Sequence, residues 1–336
     1  TRVCERLLAI ANAGDTHVCV PLQGSGTFIV EAGLCTLIPT DGKALILVNG
    51  AYGKRMAKIL DYASRSYVIH ETSENQPPNV DKLNEALTAD ADISHVLTVH
   101  CETTSGILNP IQEIASVVKS QGRSLFIDAM SAFGAIDVNS NHIYFDALVA
   151  SSNKCLEGVP GVGFALLRTE VLKTCQGNSH SLSLDLYDQW QNMATSAQWR
   201  FTPPTHVIAA FDKAIEQFES EGGVAGRFAR YTENCRILTE GMRQLGFETL
   251  LTNNLQAPII VTFKMPEDPA FDFSVFYDQV KERGFVLYPG KLTVAPSFRI
   301  GCIGHLNAMD IHQALKVIKD TLNEMGVRSG APAQNV

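Results

Sequence analysis

The segment SSNKCLEGVPG (Ser151 to Gly161) sets one lysine, Lys154, between small polar residues and a glycine- and proline-rich turn, directly after the apolar run FDALVA (Phe145 to Ala150). A flexible cation at the end of a buried strand is either a solvated loop residue or an amine held at a sheet edge as a nucleophile. Earlier in the chain, Asp128 closes the apolar run of LFIDAMSAFG, where a carboxylate is expensive without a cationic partner. It either caps the next segment or faces a protonated ring nitrogen. LQGSGTFIVEAGL (Leu22 to Leu34) reads as strand, glycine turn and helix start. Gly24 and Gly26 let the backbone approach an anion, and the N–H groups of Gly26 and Thr27 with the hydroxyls of Ser25 and Thr27 can cradle a phosphate. An ordinary tight turn has the same composition. VNGAYG places Tyr52 just beyond a strand, where its ring either stacks on a flat cofactor or is simply a partly buried aromatic.

An anion-binding turn, an aromatic plate, a carboxylate and a lysine on one sheet edge are what pyridoxal 5′-phosphate requires. The lysine bonds its aldehyde, the carboxylate keeps the pyridine nitrogen protonated, and the turn anchors the phosphate. The elements that would position these residues alternate. Strand-like runs are HVCVPLQ, KALILVNG, YVIH, HVLTVH, SLFIDAM, FDALVAS and GVGFALLR, and helical-period stretches such as GKRMAKILDYA, VDKLNEALTA and IQEIASVVKSQG lie between several of them. This pattern predicts an α/β fold with a mainly parallel seven-stranded sheet covered on both faces, whose ligand sites lie beyond the carboxyl ends of the strands. Helices through Phe218 and from Val224 to about Leu245, then looser alternation to a last helix ending near Met325, predict a smaller C-terminal α+β domain. The expected boundaries are 1–222 for the large domain, 223–328 for the small one and 329–336 for a tail.

The 336 residues, 45% hydrophobic, can bury a sizeable core. A formal charge of −8 argues against a nucleic-acid surface. No apolar run reaches the roughly 18 residues that span a bilayer, and no secretory pattern opens the chain. The eight cysteines are scattered without a C-x-x-C pair, which predicts reduced thiols in a cytoplasmic enzyme, and the nine histidines lack ligand spacing, so no metal is expected. Cys155, beside the lysine, has no evident neighbour to activate it.

QGSGTFIVEA, NGAYGKRM, HCETTSGILNPI, IDAMSAFGA, SSNKCLEGVPG, SLSLDLY, WRFTPPTH, YPGK and FRIGCIG occur in the order and spacing of the class V aminotransferases, and the chain resembles that family over essentially its whole length. The resemblance implies a fold-type I pyridoxal-phosphate transferase with Lys154 as the Schiff-base lysine and Asp128 as the partner of the pyridine nitrogen. It implies further that Tyr52 stacks on the ring, that Gly26 and Thr27 hold the phosphate, and that Thr103 and Asn153 contact the cofactor. Trp199 and Thr202 match a segment reaching the neighbouring subunit's cofactor, which implies a homodimer, and Arg299 matches the arginine that grips a substrate carboxylate, for which its fork is a natural receptor. On residue chemistry alone, Thr103 could be turn chemistry, Trp199 core and Arg299 a surface ion pair. SLSLDLY and WRFTPPTH favour the branch acting on 2-aminoethylphosphonate and pyruvate, in phosphonate breakdown, over alanine- or serine:glyoxylate relatives. The family carries a segment ahead of the position of Thr1 that helps enclose the site. A chain lacking it that binds cofactor without catalysis is the remaining alternative.

Overall fold

The computed structural model describes residues 2–291 and 295–333; residues 334–336 of the expected tail lie outside the described residues. The chain divides into two compact units, residues Thr1–Glu102 with Asn109–Arg227, and residues Thr103–Leu108 with Phe228–Val336.

In chain order the first unit contains α1 (Arg2–Ile10), β1 (His17–Gly24), α2 (Gly26–Leu37), β2 (Lys43–Val48), α3 (Ala51–Tyr62), β3 (Ser66–Glu71), α4 (Val80–Ala89), β4 (Ile93–Val99) and the two-residue β5 (Cys101–Glu102). Residues 103–108, with the short β6 (Ile107–Leu108), belong to the second unit. The first unit resumes with α5 (Ile111–Ser120), β7 (Ser124–Asp128), β8 (Ala147–Ser151), β9 (Gly161–Arg168), α6 (Thr169–Leu172), α7 (Leu186–Ser196) and α8 (Thr205–Ser220). Seven of these strands form one sheet in the order β1-β9-β8-β7-β4-β2-β3. β3, β2, β4, β7 and β8 run parallel; β9 is antiparallel to both β8 and β1, so β1 points the same way as the parallel five.

The strands read as unbroken apolar runs because both faces of the sheet are covered. Leu45, Leu47, Leu125, Ile127, Leu148 and Phe164 point to one face, where Leu7 of α1, Leu83 of α4, Ile114 of α5 and Phe211 of α8 meet them. Ala44, Ile46, Val48, Phe126, Val149 and Ala165 alternate to the other face, against Ile29 of α2, Met56 of α3 and Leu186 of α7. Close approach of α2 needs Gly33, where a Cβ would fall 2.7 Å from Cε2 of the buried Phe126 ring. Six of the seven strands thus deliver their carboxyl ends to the same edge.

The second unit holds most of α9 (Gly223–Gln244), β10 (Ile260–Lys264), α10 (Phe273–Glu282), β11 (Tyr288–Pro289), β12 (Ser297–Gly301) and α11 (Ala308–Met325). Its antiparallel sheet, ordered β10-β12-β11, packs around Phe247, Phe263, Phe276 and Phe298. α11 starts in a capping box between Asn307 and Asp310 and ends at left-handed Gly326. The run FVLYPG contributes only Tyr288–Pro289 as strand. No helix among the described residues is long and apolar enough to cross a membrane.

Candidate active site

In the first unit, Ser25, Gly26, Thr27, Tyr52, Asn153 and Lys154 follow strand ends and Asp128 closes one, whereas Trp199 and Thr202 lie between α7 and α8. After β1, Ser25 caps α2 with extended backbone and no side-chain capping bond, so Gly26 and Thr27 open the helix with amides that have no partner within it. A Cβ on Gly26 would lie 2.6 Å from Sδ of Met130, which packs the turn against the chain just past Asp128. After β2, Tyr52 sits half-buried in the first turn of α3. Arg55, one turn on, lays its guanidinium 4.7 Å from the centre of the Tyr52 ring and donates to Thr27 Oγ1 at 3.0 Å. A cation therefore joins the anion turn to the aromatic ring. The sequence hides it within GKRMAK, where it reads as one more solvated helix charge.

Asp128 ends β7 almost fully buried, and its Oδ1 accepts the N–H of Met130 at 3.0 Å. Burial pushes its carboxyl up to about 6; the Met130 N–H works against this, the nearby charge of Glu102 adds to it, and attraction to Arg55 and Lys154 opposes it. Glu102 is a second carboxylate that sequence reasoning passed over. It is wholly buried in β5, and its Oε2 accepts the N–H groups of Tyr52 (3.1 Å) and Gly53 (3.4 Å). The signal that exposed Asp128, an acid within an apolar strand end, was also present in HCETTSG.

Lys154 is half-buried in the turn after β8, and Asn153 beside it is exposed, its Oδ1 accepting from Ser151 Oγ at 2.9 Å. The loop is pinned from within. Ser152 O accepts Gly158 N–H at 2.8 Å, and Ser152 Oγ donates to Val159 O at 2.6 Å. Fully buried Arg227 donates to Cys155 O and pairs with Glu221 (2.8 Å) and Glu157 (3.4 Å). No sequence signal marks Arg227, one arginine in a polar helix. The Cys155 thiol donates to Ser131 O at 3.3 Å, and burial pushes it up to about 12, so it is an inert core thiol.

Trp199 is half-buried and lines an apolar cavity of about 330 Å³ with Leu7, Phe164, Met193 and Phe211; Thr202 is exposed. In the second unit Arg299 lies on β12, only 5% exposed, which removes the surface ion-pair reading. Its Nη1 donates to the carbonyl of half-buried Thr103 at 2.7 Å, its Nε and Nη2 donate to Pro289 O at 3.3 and 3.2 Å, and the guanidinium lies 6.0 Å from the Tyr288 ring centre. Among the described residues no cluster of His, Cys, Asp and Glu could hold a metal ion.

The first unit's residues suit pyridoxal phosphate on their own evidence. Asp128 is a buried carboxylate whose raised titration marks an unmet need for positive charge, which a protonated ring nitrogen answers. The Gly26 turn leaves a cradle that a side chain would fill, beside Thr27 and a guanidinium.

Comparison with known proteins gives the same direction. The Aminotransferase class-V family model matches residues 32–300. The chain is 53% identical over 325 residues to the 2-aminoethylphosphonate–pyruvate transaminase of Pseudomonas fluorescens, covering 97% of this chain and 88% of that one. It is likewise 53% identical over 327 residues to 2-aminoethylphosphonate–pyruvate transaminase 2 of Burkholderia lata, covering 97% and 87%. Pyridoxamine–pyruvate aminotransferase from Mesorhizobium loti has the same fold, with a TM-score of 0.88 at 22% identity over 98% of this chain and 86% of that one.

Proposed function

The chain belongs to the class-V aminotransferases, which use pyridoxal 5′-phosphate, and from that premise we propose that it moves the amino group of 2-aminoethylphosphonate to pyruvate, giving phosphonoacetaldehyde and L-alanine. The observation that carries this reading is the 53% identity, over 97% of the chain, to a transaminase of that name.

The cofactor, when bound, supplies an aldehyde that captures an amine and a ring that draws electrons from the adjoining carbon. Lys154 Nζ would be the amine that bonds that aldehyde and, once released from it, the base that takes the proton from the substrate's nitrogen-bearing carbon. Asp128 holds a proton on the ring nitrogen; with its carboxyl at about 6 it is mostly ionised at neutral pH, as that task requires. Ser25, Gly26 and Thr27, at the start of α2, would bind the phosphate, and Tyr52 would supply a ring for the cofactor to stack on. Thr103 and Asn153 contribute polar contacts to the cofactor. Arg299 receives the pyruvate carboxylate and the phosphonate, its fork oriented by the Thr103 and Pro289 carbonyls.

The working form in this reading is a homodimer in which Trp199 and Thr202 reach the neighbouring subunit's cofactor. Eight free cysteines are consistent with a reducing cytoplasm. The test presents 2-aminoethylphosphonate, serine and alanine separately to the cofactor-loaded chain. Conversion of the cofactor to its amine form by the phosphonate is expected. Reaction with serine or alanine but none with the phosphonate overturns the substrate assignment.

A further inference from the structure

Glu102 has no part in the reaction above, yet it is built into the site. It is fully buried, and Gly50 packs so closely on it that a Cβ there would lie 2.4 Å from its Cδ. Gly50 is the N-cap of α3 and brings no capping side chain. The cap is supplied instead from β5, where a carboxylate takes the N–H groups of Tyr52 and Gly53 at the positive end of the helix. The backbone it grips is the one that carries the stacking ring.

We propose that Glu102 is a positioning residue of the cofactor site: its paired hydrogen bonds to the first turn of α3 fix the tilt of Tyr52. The inference rests on the role proposed for Tyr52. It assigns Glu102 no proton transfer and no contact with substrate.

Two variants test the positioning. Glu102→Gln keeps an oxygen that can accept from both N–H groups of α3, whereas Glu102→Asp keeps the charge but is too short to reach both. Pyridoxal phosphate binding, followed by quenching of protein fluorescence, is expected to stay within about twofold of the parent in Glu102→Gln and to weaken about tenfold in Glu102→Asp. Unchanged affinity in Glu102→Asp, or an equal loss in both variants, overturns the inference and leaves Glu102 a helix cap. If the parent chain binds no cofactor, the site assignment itself fails and the inference with it, a result distinct from a loss confined to a variant.

Discussion

Replacing Asp128 by asparagine should stabilise the cofactor-free chain while ruining its cofactor binding. Burial, with repulsion from Glu102, lifts the carboxyl from 3.8 to about 6 against the Met130 N–H and the two cations. At about 1.4 kcal/mol for each pH unit of that rise, holding the ionised carboxylate costs the fold about 3 kcal/mol at neutral pH. The sign follows from proton uptake. Between 3.8 and about 6 the folded chain binds the proton more readily than the unfolded one. Stability from this group is therefore fully present below 3.8 and lost as the pH rises through 6. Asparagine keeps an oxygen for the Met130 N–H and carries no charge. Allowing for an amide group that must find a new partner, the net gain is about 2 kcal/mol. Urea denaturation of cofactor-free parent and variant at about pH 7.5 and about pH 4 measures it. The gain should appear at the higher pH and largely vanish at the lower. A variant no more stable than the parent at neutral pH, or a gain independent of pH, refutes the electrostatic account of this carboxylate.

Lys154→Ala should remove the point of covalent attachment, so borohydride treatment of the cofactor-loaded chain leaves label at residue 154 in the parent and none in the variant. Gly50→Ala and Gly26→Ala introduce Cβ atoms 2.4 Å from Glu102 Cδ and 2.6 Å from Met130 Sδ. The carboxylate is pinned by two hydrogen bonds and the thioether is flexible, so thermal denaturation should show Gly50→Ala to be the costlier, by about 1–2 kcal/mol. Arg299→Ala should raise the pyruvate KM about 100-fold with a smaller loss in kcat, the mark of lost substrate binding; steady-state kinetics against varied pyruvate reads it.

The sheet was legible because burial on both faces wrote each strand as an apolar run: KALILV, SLFID and ALVAS are covered along nearly their whole lengths. Asp128 and Lys154 stood out for the same reason, as charges at the ends of such runs. Glu102 carried a similar signal but sits among the turn-forming residues of CETTSG, which drew the reading towards local chemistry. Arg55 and Arg227 were illegible for a different reason. Each lies on a helix among other charged residues, and only the fold distinguishes a guanidinium stacked on Tyr52, or one pinning the lysine loop, from a solvated one. The membership of residues 103–108 in the second unit is also a matter of long-range contacts, and no local pattern encodes it.

That excursion has a consequence for how the protein can be taken apart. Residues 103–108 give the second unit a bridge from Ile107 to Gln256, a hydrogen bond from the Leu108 N–H to Leu255 O, another from the Ala257 N–H to Gly106 O, and the carbonyl that receives Arg299. A fragment beginning at Phe228 would lack all four and leave the guanidinium of Arg299 short of an acceptor. The C-terminal portion is therefore not a transplantable module, and gene fusions or swaps cut at residue 228 would carry away an incomplete piece.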